Sequence, residues 1–159
     1  MKIGFIGVGN MGGPMCRNII RNTNHQVVVH DLDAAAVARC TSLGATAADS
    51  IAGLAGCEVV FTSLPIPEIV ERVIAGPGGL AETAAAGTVV IDLSTNSPET
   101  AQAMAAALGA RGIAMLEALA HVRTPYGPGK LLGLELVPGA LAGRAGQVRY
   151  PAPFTRAQW

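Results

Sequence analysis

At 159 residues the chain has room for one domain with a sizeable core and hardly for two. Half of it is hydrophobic, 4% is aromatic, and its formal charges cancel, with no basic run of the kind that follows a phosphate backbone. These features argue against a nucleic-acid partner, a coiled coil or a disordered chain, and no apolar stretch approaches the length that crosses a bilayer.

Lys2 to Ile6 is a short apolar run ending in glycines, which predicts a buried parallel strand. A helix is expected from about Met11 to Asn22, with Met11, Met15, Ile19 and Ile20 forming one apolar stripe. Gln26 to Asp31 (QVVVHD) reads as the second strand, and Asp33 as the N-cap of a helix from Ala34 to Leu43 that Gly44 closes. Ser50 is placed to cap a short helix ending near Gly56. Glu58 to Ser63 is the next strand, stopped by Pro65 and Pro67, with a helix over Glu68 to Ala75 and a loop at 76–79. Thr88 to Leu93 (TVVIDL) follows as another buried strand. Ser97-Pro98-Glu99 opens a helix to about Ala110, and Ile113 to Glu117 is a last strand. Strands alternating with helices at this spacing predict an α/β fold, a doubly wound parallel sheet.

After Glu117 the character changes. Residues 117–159 hold five of the ten prolines and no aspartate. They carry five basic and two acidic groups, against six and nine before them. No period of 2 or 3.6 survives past about Leu136, so residues 118–159 are expected to be an atypical, poorly ordered tail behind a domain of residues 1–117. Cys16, Cys40 and Cys57 lack CxxC spacing and read as small buried hydrophobes in a reducing cytosol. The N-terminus has no signal-peptide core, which predicts a soluble, cytoplasmic protein.

Gly7-Val8-Gly9-Asn10-Met11-Gly12 is a GxGxxG motif between a predicted strand and a predicted helix. In that place the first glycine permits a tight turn, the second lets the backbone approach a pyrophosphate, and the third lets helix pack on strand. The pyrophosphate would rest on free N–H groups at the helix N-terminus, where the dipole favours anions. Asp31 lies 24 residues after Gly7, at the end of the second strand. A carboxylate there accepts hydrogen bonds from the adenosine ribose hydroxyls and repels a 2′-phosphate. Asp33 is the better helix cap, which leaves Asp31 for ribose. Leu32 stands where a chain selecting NADP often carries arginine, so NAD is the expected cofactor and NADP the less favoured one.

Gly7-x-Gly9-x-Met11-Gly12-Gly13-Pro14-Met15 resembles the N-terminal signature of the 3-hydroxyisobutyrate dehydrogenase family, the β-hydroxyacid dehydrogenases. Their NAD-binding domain is of the 6-phosphogluconate dehydrogenase-like type. The likeness continues through residues 25–31, Leu64-Pro65, Gly78-Gly79-Leu80 and Ile91-Asp92-Leu93-Ser94-Thr95, with Pro98 behind. It implies a Rossmann domain and hydride transfer between NAD and a small 3-hydroxyacid. It places Leu64 and Pro65 along the adenosine and nicotinamide-ribose side of the cleft, and Thr95 near the nicotinamide. Met11 and Met15 read first as core, with Met11 also a candidate contact of the nicotinamide.

The departures from the family are specific. Where the family carries an Asp-Ala-Pro-Val-Ser-Gly-Gly type segment for the substrate carboxylate, this chain reads Glu117-Ala118-Leu119-Ala120-His121-Val122-Arg123. The family's catalytic lysine lies on a long helix leading to an all-helical domain. Lys130, the only lysine after Lys2, instead follows Tyr126-Gly127-Pro128-Gly129, a loop context, and no catalytic role is carried onto it. The resemblance thus reaches the Rossmann domain alone, and a truncation or shifted reading frame is one expectation for the tail. Three functions stay open: a dehydrogenase domain inactive alone, a non-catalytic NAD(P)-binding module, and a protein like the NADPH-dependent 2-hydroxy-3-oxopropionate reductases. An FAD enzyme fits poorly with Met11 and Pro14. Self-association through apolar surface at the sheet's carboxyl edge is a further expectation. None of His25, His30 and His121 has the spacing of a metal site.

Overall fold

The Val- and Ile-rich runs pair side by side because a strand buried on both faces needs apolar side chains on each. In the computed structural model, residues 1–117 are described, together with two short segments beyond them, Arg123–Thr124 and Gly127–Pro128. The strands are β1 (Lys2–Ile6), β2 (Gln26–His30), β3 (Thr46–Ala47), β4 (Val59–Thr62), β5 (Val89–Asp92) and β6 (Ala114–Glu117). They form one parallel sheet in the order β3-β2-β1-β4-β5-β6, the doubly wound arrangement expected. The segments Arg123–Thr124 (β7) and Gly127–Pro128 (β8) pair antiparallel with each other. The rest of the expected tail lies outside the described residues.

Register decides where the strands end. His30 pairs with Ile6, Ile6 with Thr62, Thr62 with Asp92, and Asp92 with Glu117. The carboxyl ends of five strands therefore form one row, and the loops that follow them leave the sheet along one edge. Alternate residues of each strand enter opposite layers. On one face Phe5, Val27 and Val29 pack with Cys16 of helix α1 (Gly12–Asn22) and Ala36 and Cys40 of α2 (Ala34–Thr41). On the other, Ile6, Val28, Val60 and Val90 meet Val70 and Ile74 of α3 (Pro67–Ala75), Leu80 of α4 (Leu80–Thr83), and Met104 and Leu108 of α5 (Pro98–Gly109). Val60, Val70, Ile74, Leu80, Val90 and Leu108 are fully buried, each such side chain contributing on the order of 1.5–3 kcal/mol.

Several expected boundaries hold for the expected reasons. Asp33 caps α2 by accepting from Ala35 N, and Ser97 caps α5 by accepting from Thr100 N. Pro67 and Pro98 occupy the first turns of α3 and α5, where a missing N–H costs nothing. Gly44 ends the α2 region at φ +105°.

Other elements differ. Strand β2 stops at His30, which leaves Asp31 just beyond the sheet. Strand β3 was not expected: its two residues are exposed and carry no apolar pattern, and they join the sheet through backbone pairing with Val28 and Val29. Helix α4 was not expected either, being four residues long and lacking a side-chain cap. The turn after Ser50 is a 3-10 helix, Ile51–Leu54, to which the Ser50 side chain gives no capping bond.

Candidate functional site

Chemistry at this edge begins with the loop after β1. Gly7 continues the ladder by donating its N–H to His30 O at 3.0 Å, then turns at φ +86°. A Cβ there would stand 2.2 Å from Ser63 O, and one on Gly12 would stand 2.0 Å from Gly7 O. Both positions are closed by the protein's own backbone. Gly13 is closed as well, with Val8 O 2.5 Å from the place of its Cβ. Gly9 differs from all three: it is exposed, its φ is not positive, and a Cβ on it would meet nothing within 4 Å. Neither conformation nor packing demands glycine there.

Helix α1 starts at Gly12 with Met11 as its N-cap, and no side chain caps it. Gly13 donates to Gly9 O at 2.9 Å and Pro14 has no N–H, so the donors left at the helix end are those of Met11 and Gly12. No acidic residue occupies the first turn, which keeps the positive end of the helix open toward this edge. The Met11 side chain is 75% exposed. The expectation that it joins the buried stripe is corrected: as the cap it points its residue out of the helix face that Met15, Ile19 and Ile20 pack from. Asn10 is exposed beside it.

Asp31 is not free, as the sequence reading had it. One carboxylate oxygen, Oδ2, accepts from Val8 N at 2.7 Å, and the other, Oδ1, accepts from Asp33 N at 2.9 Å. The side chain thus ties the glycine loop to the start of α2 while Asp33 does the capping. A carboxylate offers about four acceptor positions, so two remain for a ligand. Val8 gives its N–H to this bond and its side chain to the core, where it is fully buried. Leu32, next in sequence, is 97% exposed.

Beyond β4 and β5 the arrangement is of another kind. Asp92 is fully buried at the carboxyl end of β5. Its Oδ1 accepts from Thr62 Oγ1 at 2.7 Å, from Ser94 N at 3.0 Å and from Ser94 Oγ at 2.7 Å, while its Oδ2 accepts from Asn96 Nδ2 at 2.5 Å. Ser94 Oγ in turn accepts from Leu64 N at 3.0 Å. Leu64 is half-buried, and Pro65 and Thr95 are exposed. Asn96 Oδ1 is the single buried side-chain polar atom without a partner among the described residues.

The structure therefore packs Gly12 and Leu64 against Gly7 and bonds Val8 to Asp31 along one edge, with Gly9, Asn10, Met11, Pro65 and Thr95 exposed on the loops of that edge. The sequence reading missed Asp92, Ser94 and Asn96 as one network. A signal existed: TVVIDL is an apolar strand interrupted by one carboxylate, and EVVFTS places a hydroxyl at the paired position. Elsewhere, burial pushes the thiols of Cys16 and Cys57 up, with Cys40 beside Cys16 adding to its shift, so these cysteines are poor nucleophiles. Among the described residues no cluster of His, Cys, Asp and Glu could hold a metal ion, and no helix is long and apolar enough to cross a membrane.

A family model described as the NAD binding domain of 6-phosphogluconate dehydrogenase matches residues 2–118. The chain belongs to this family. The NAD-binding domain is 42% identical over 117 residues to the 3-hydroxyisobutyrate dehydrogenase of Pseudomonas aeruginosa, a match covering 73% of this chain and 39% of that protein. Among solved structures it resembles Mycobacterium tuberculosis 3-hydroxyisobutyrate dehydrogenase with L-serine, at TM-score 0.66 and 33% identity, over 74% of this chain and 40% of that one. Psf3 in complex with NADP+ and 2-OPP is similar at TM-score 0.67 and 32% identity, over 71% of this chain and 40% of that one. The chain thus spans about two fifths of the length of the relatives it matches.

Proposed function

We propose that this NAD-binding domain serves a β-hydroxyacid dehydrogenase acting on a small 3-hydroxyacid such as 3-hydroxyisobutyrate. A bound nicotinamide would there accept hydride from the substrate's carbinol C–H bond, and the hydroxyl proton would go to a base. The observation that carries the cofactor half of this reading is the contrast among the glycines. Gly7 and Gly12 are closed by backbone, whereas Gly9 faces open space that protein does not use. A phosphate passing close to the chain accounts for a glycine there.

In this reading the N–H groups of Met11 and Gly12 receive the pyrophosphate, with Asn10 flanking them. Asp31 uses its two remaining acceptor positions for the adenosine ribose, and the exposed Leu32 offers no cation to a 2′-phosphate, which favours NAD over NADP. Leu64 and Pro65 line the nicotinamide-ribose side, and Thr95 lies near the nicotinamide. The chain is proposed to act in the cytoplasm.

For these 159 residues alone a second reading, NAD binding without turnover, has support from the sequence. Residues 117–123 lack the Ser-Gly-Gly of the family segment, and Lys130 stands in a Gly-Pro context. Self-association is also proposed: among the described residues, three of the four exposed large hydrophobics, Met11, Leu32 and Ile66, sit at the carboxyl edge. Titrating the purified chain with NAD and NADP, then assaying oxidation of 3-hydroxyisobutyrate, tests both readings. Saturable binding with NAD preferred is expected, and failure to bind either cofactor overturns the proposal. NADH formation that depends on Lys130 would sink the second reading alone.

A further inference from the structure

We propose that Asp92 is a positioning residue for the nicotinamide half of the cofactor site, acting through Ser94 on the backbone of Leu64. The proposal rests on the NAD reading above. A fully buried carboxylate is costly unless hydrogen bonds surround it, and no cation among the described residues pairs with Asp92. The sheet itself does not require it. In the same register row Ile6 fills its place with an apolar side chain, and the β4–β5 ladder already extends past the row through Leu93 N donating to Thr62 O at 2.8 Å.

What the carboxylate adds is direction. The Ser94 hydroxyl gives its proton to Asp92 Oδ1. That leaves an Oγ lone pair to receive the N–H of Leu64, thirty residues away in sequence. Asn96 is held by the other oxygen, and its own Oδ1 is left unpaired and buried. One side chain thereby fixes the loop after β4 and the loop after β5 against each other, on both sides of Thr95. A buried group left unsatisfied in the same loop suits a segment held for a ligand better than one relaxed for stability.

The test compares NAD with ADP on the full chain, for Ser94→Ala and Asp92→Asn beside the unmodified protein. ADP engages the glycine loop and Asp31 only, while NAD also needs the two tied loops. Both variants should lose about tenfold in NAD affinity, the worth of one hydrogen bond, while ADP affinity stays within about twofold. Thermal unfolding of each variant is recorded, and Ser94→Ala, which removes one exchangeable hydroxyl, keeps the comparison available should Asp92→Asn fold poorly. Equal losses for NAD and ADP, or no loss of either, overturn the positioning role and leave the NAD reading standing. An unmodified chain that binds neither ligand overturns both.

Discussion

The two halves of the carboxyl edge are built by different means. After β1 and β2 the site is made of backbone: glycines let the chain fold against itself, and one carboxylate, Asp31, pins the loop by accepting from Val8 and Asp33. After β4 and β5 it is made of side chains, with Thr62, Ser94 and Asn96 hydrogen-bonded around a buried Asp92. Backbone shaped by glycine tolerates almost no substitution at the closed positions, because steric overlap has no soft alternative. A side-chain network can lose a member and lose only what that member positioned. Damage at the closed glycines of the first half should therefore appear as unfolding, and damage to the second half as altered binding.

The largest effect expected is that of Gly7→Ala. Its new methyl would meet Ser63 O at 2.2 Å on a backbone with φ +86°, and both faults together should cost about 2–5 kcal/mol in urea unfolding. A fully stable variant would show that the loop is softer than its geometry implies and would blur the contrast between the halves.

Gly9→Ala sharpens the comparison within the same loop. With nothing within 4 Å of the added carbon, stability should change by less than about 0.5 kcal/mol. NAD affinity should fall by at least about 100-fold, since a methyl group would occupy the approach of the phosphate. Unchanged NAD affinity would remove the pyrophosphate from this loop.

How much of this was legible in the sequence follows from the same distinction. GxGxxG and the acidic residue behind the second strand mark the first half because glycine and strand-end carboxylates have few other uses at that spacing. The parallel strands were legible for a similar reason, being short Val-rich runs punctuated by Gly and Pro. Strand β3 and helix α4 were not, since two and four residues carry no period to read. The Asp92 network was hidden because its members, Thr62, Asp92, Ser94 and Asn96, come from two segments thirty residues apart. The β4–β5 pairing, which sequence does not show, brings them together. Met11 misled because its place in a helical stripe says nothing of a cap, and Asp31 because a motif gives a ligand partner without showing the protein partners already held.

Cofactor choice should respond less than cofactor binding does. Asp31→Asn with Leu32→Arg removes the charge that repels a 2′-phosphate and supplies a cation, which should move preference toward NADP by about 10–100-fold. Asparagine keeps one oxygen for Val8 N and loses the second acceptor, so a stability cost of about 1 kcal/mol should accompany the switch. An unmodified chain that already prefers NADP would show that Asp31 serves the loop and not the ribose.

The smallest effect is expected from the far end of the chain. Ending the chain after Glu117 should leave NAD affinity within about twofold, a change near 0.4 kcal/mol. The residues proposed to touch the cofactor all fall between Gly7 and Thr95. The bonds that fix them come from Gly7, Val8, Gly13, Asp31, Thr62, Leu64, Asp92, Ser94 and Asn96, all within the matched family segment. Glu117 itself is retained because it pairs with Asp92 in the β5–β6 register and holds that strand end in its row. A tenfold loss of affinity in the shortened chain, at unchanged unfolding midpoint, would place part of the site beyond residue 117. Equal loss of affinity and midpoint would instead assign those residues to the support of the sheet. Only a retained affinity keeps both halves of the edge complete within the first 117 residues.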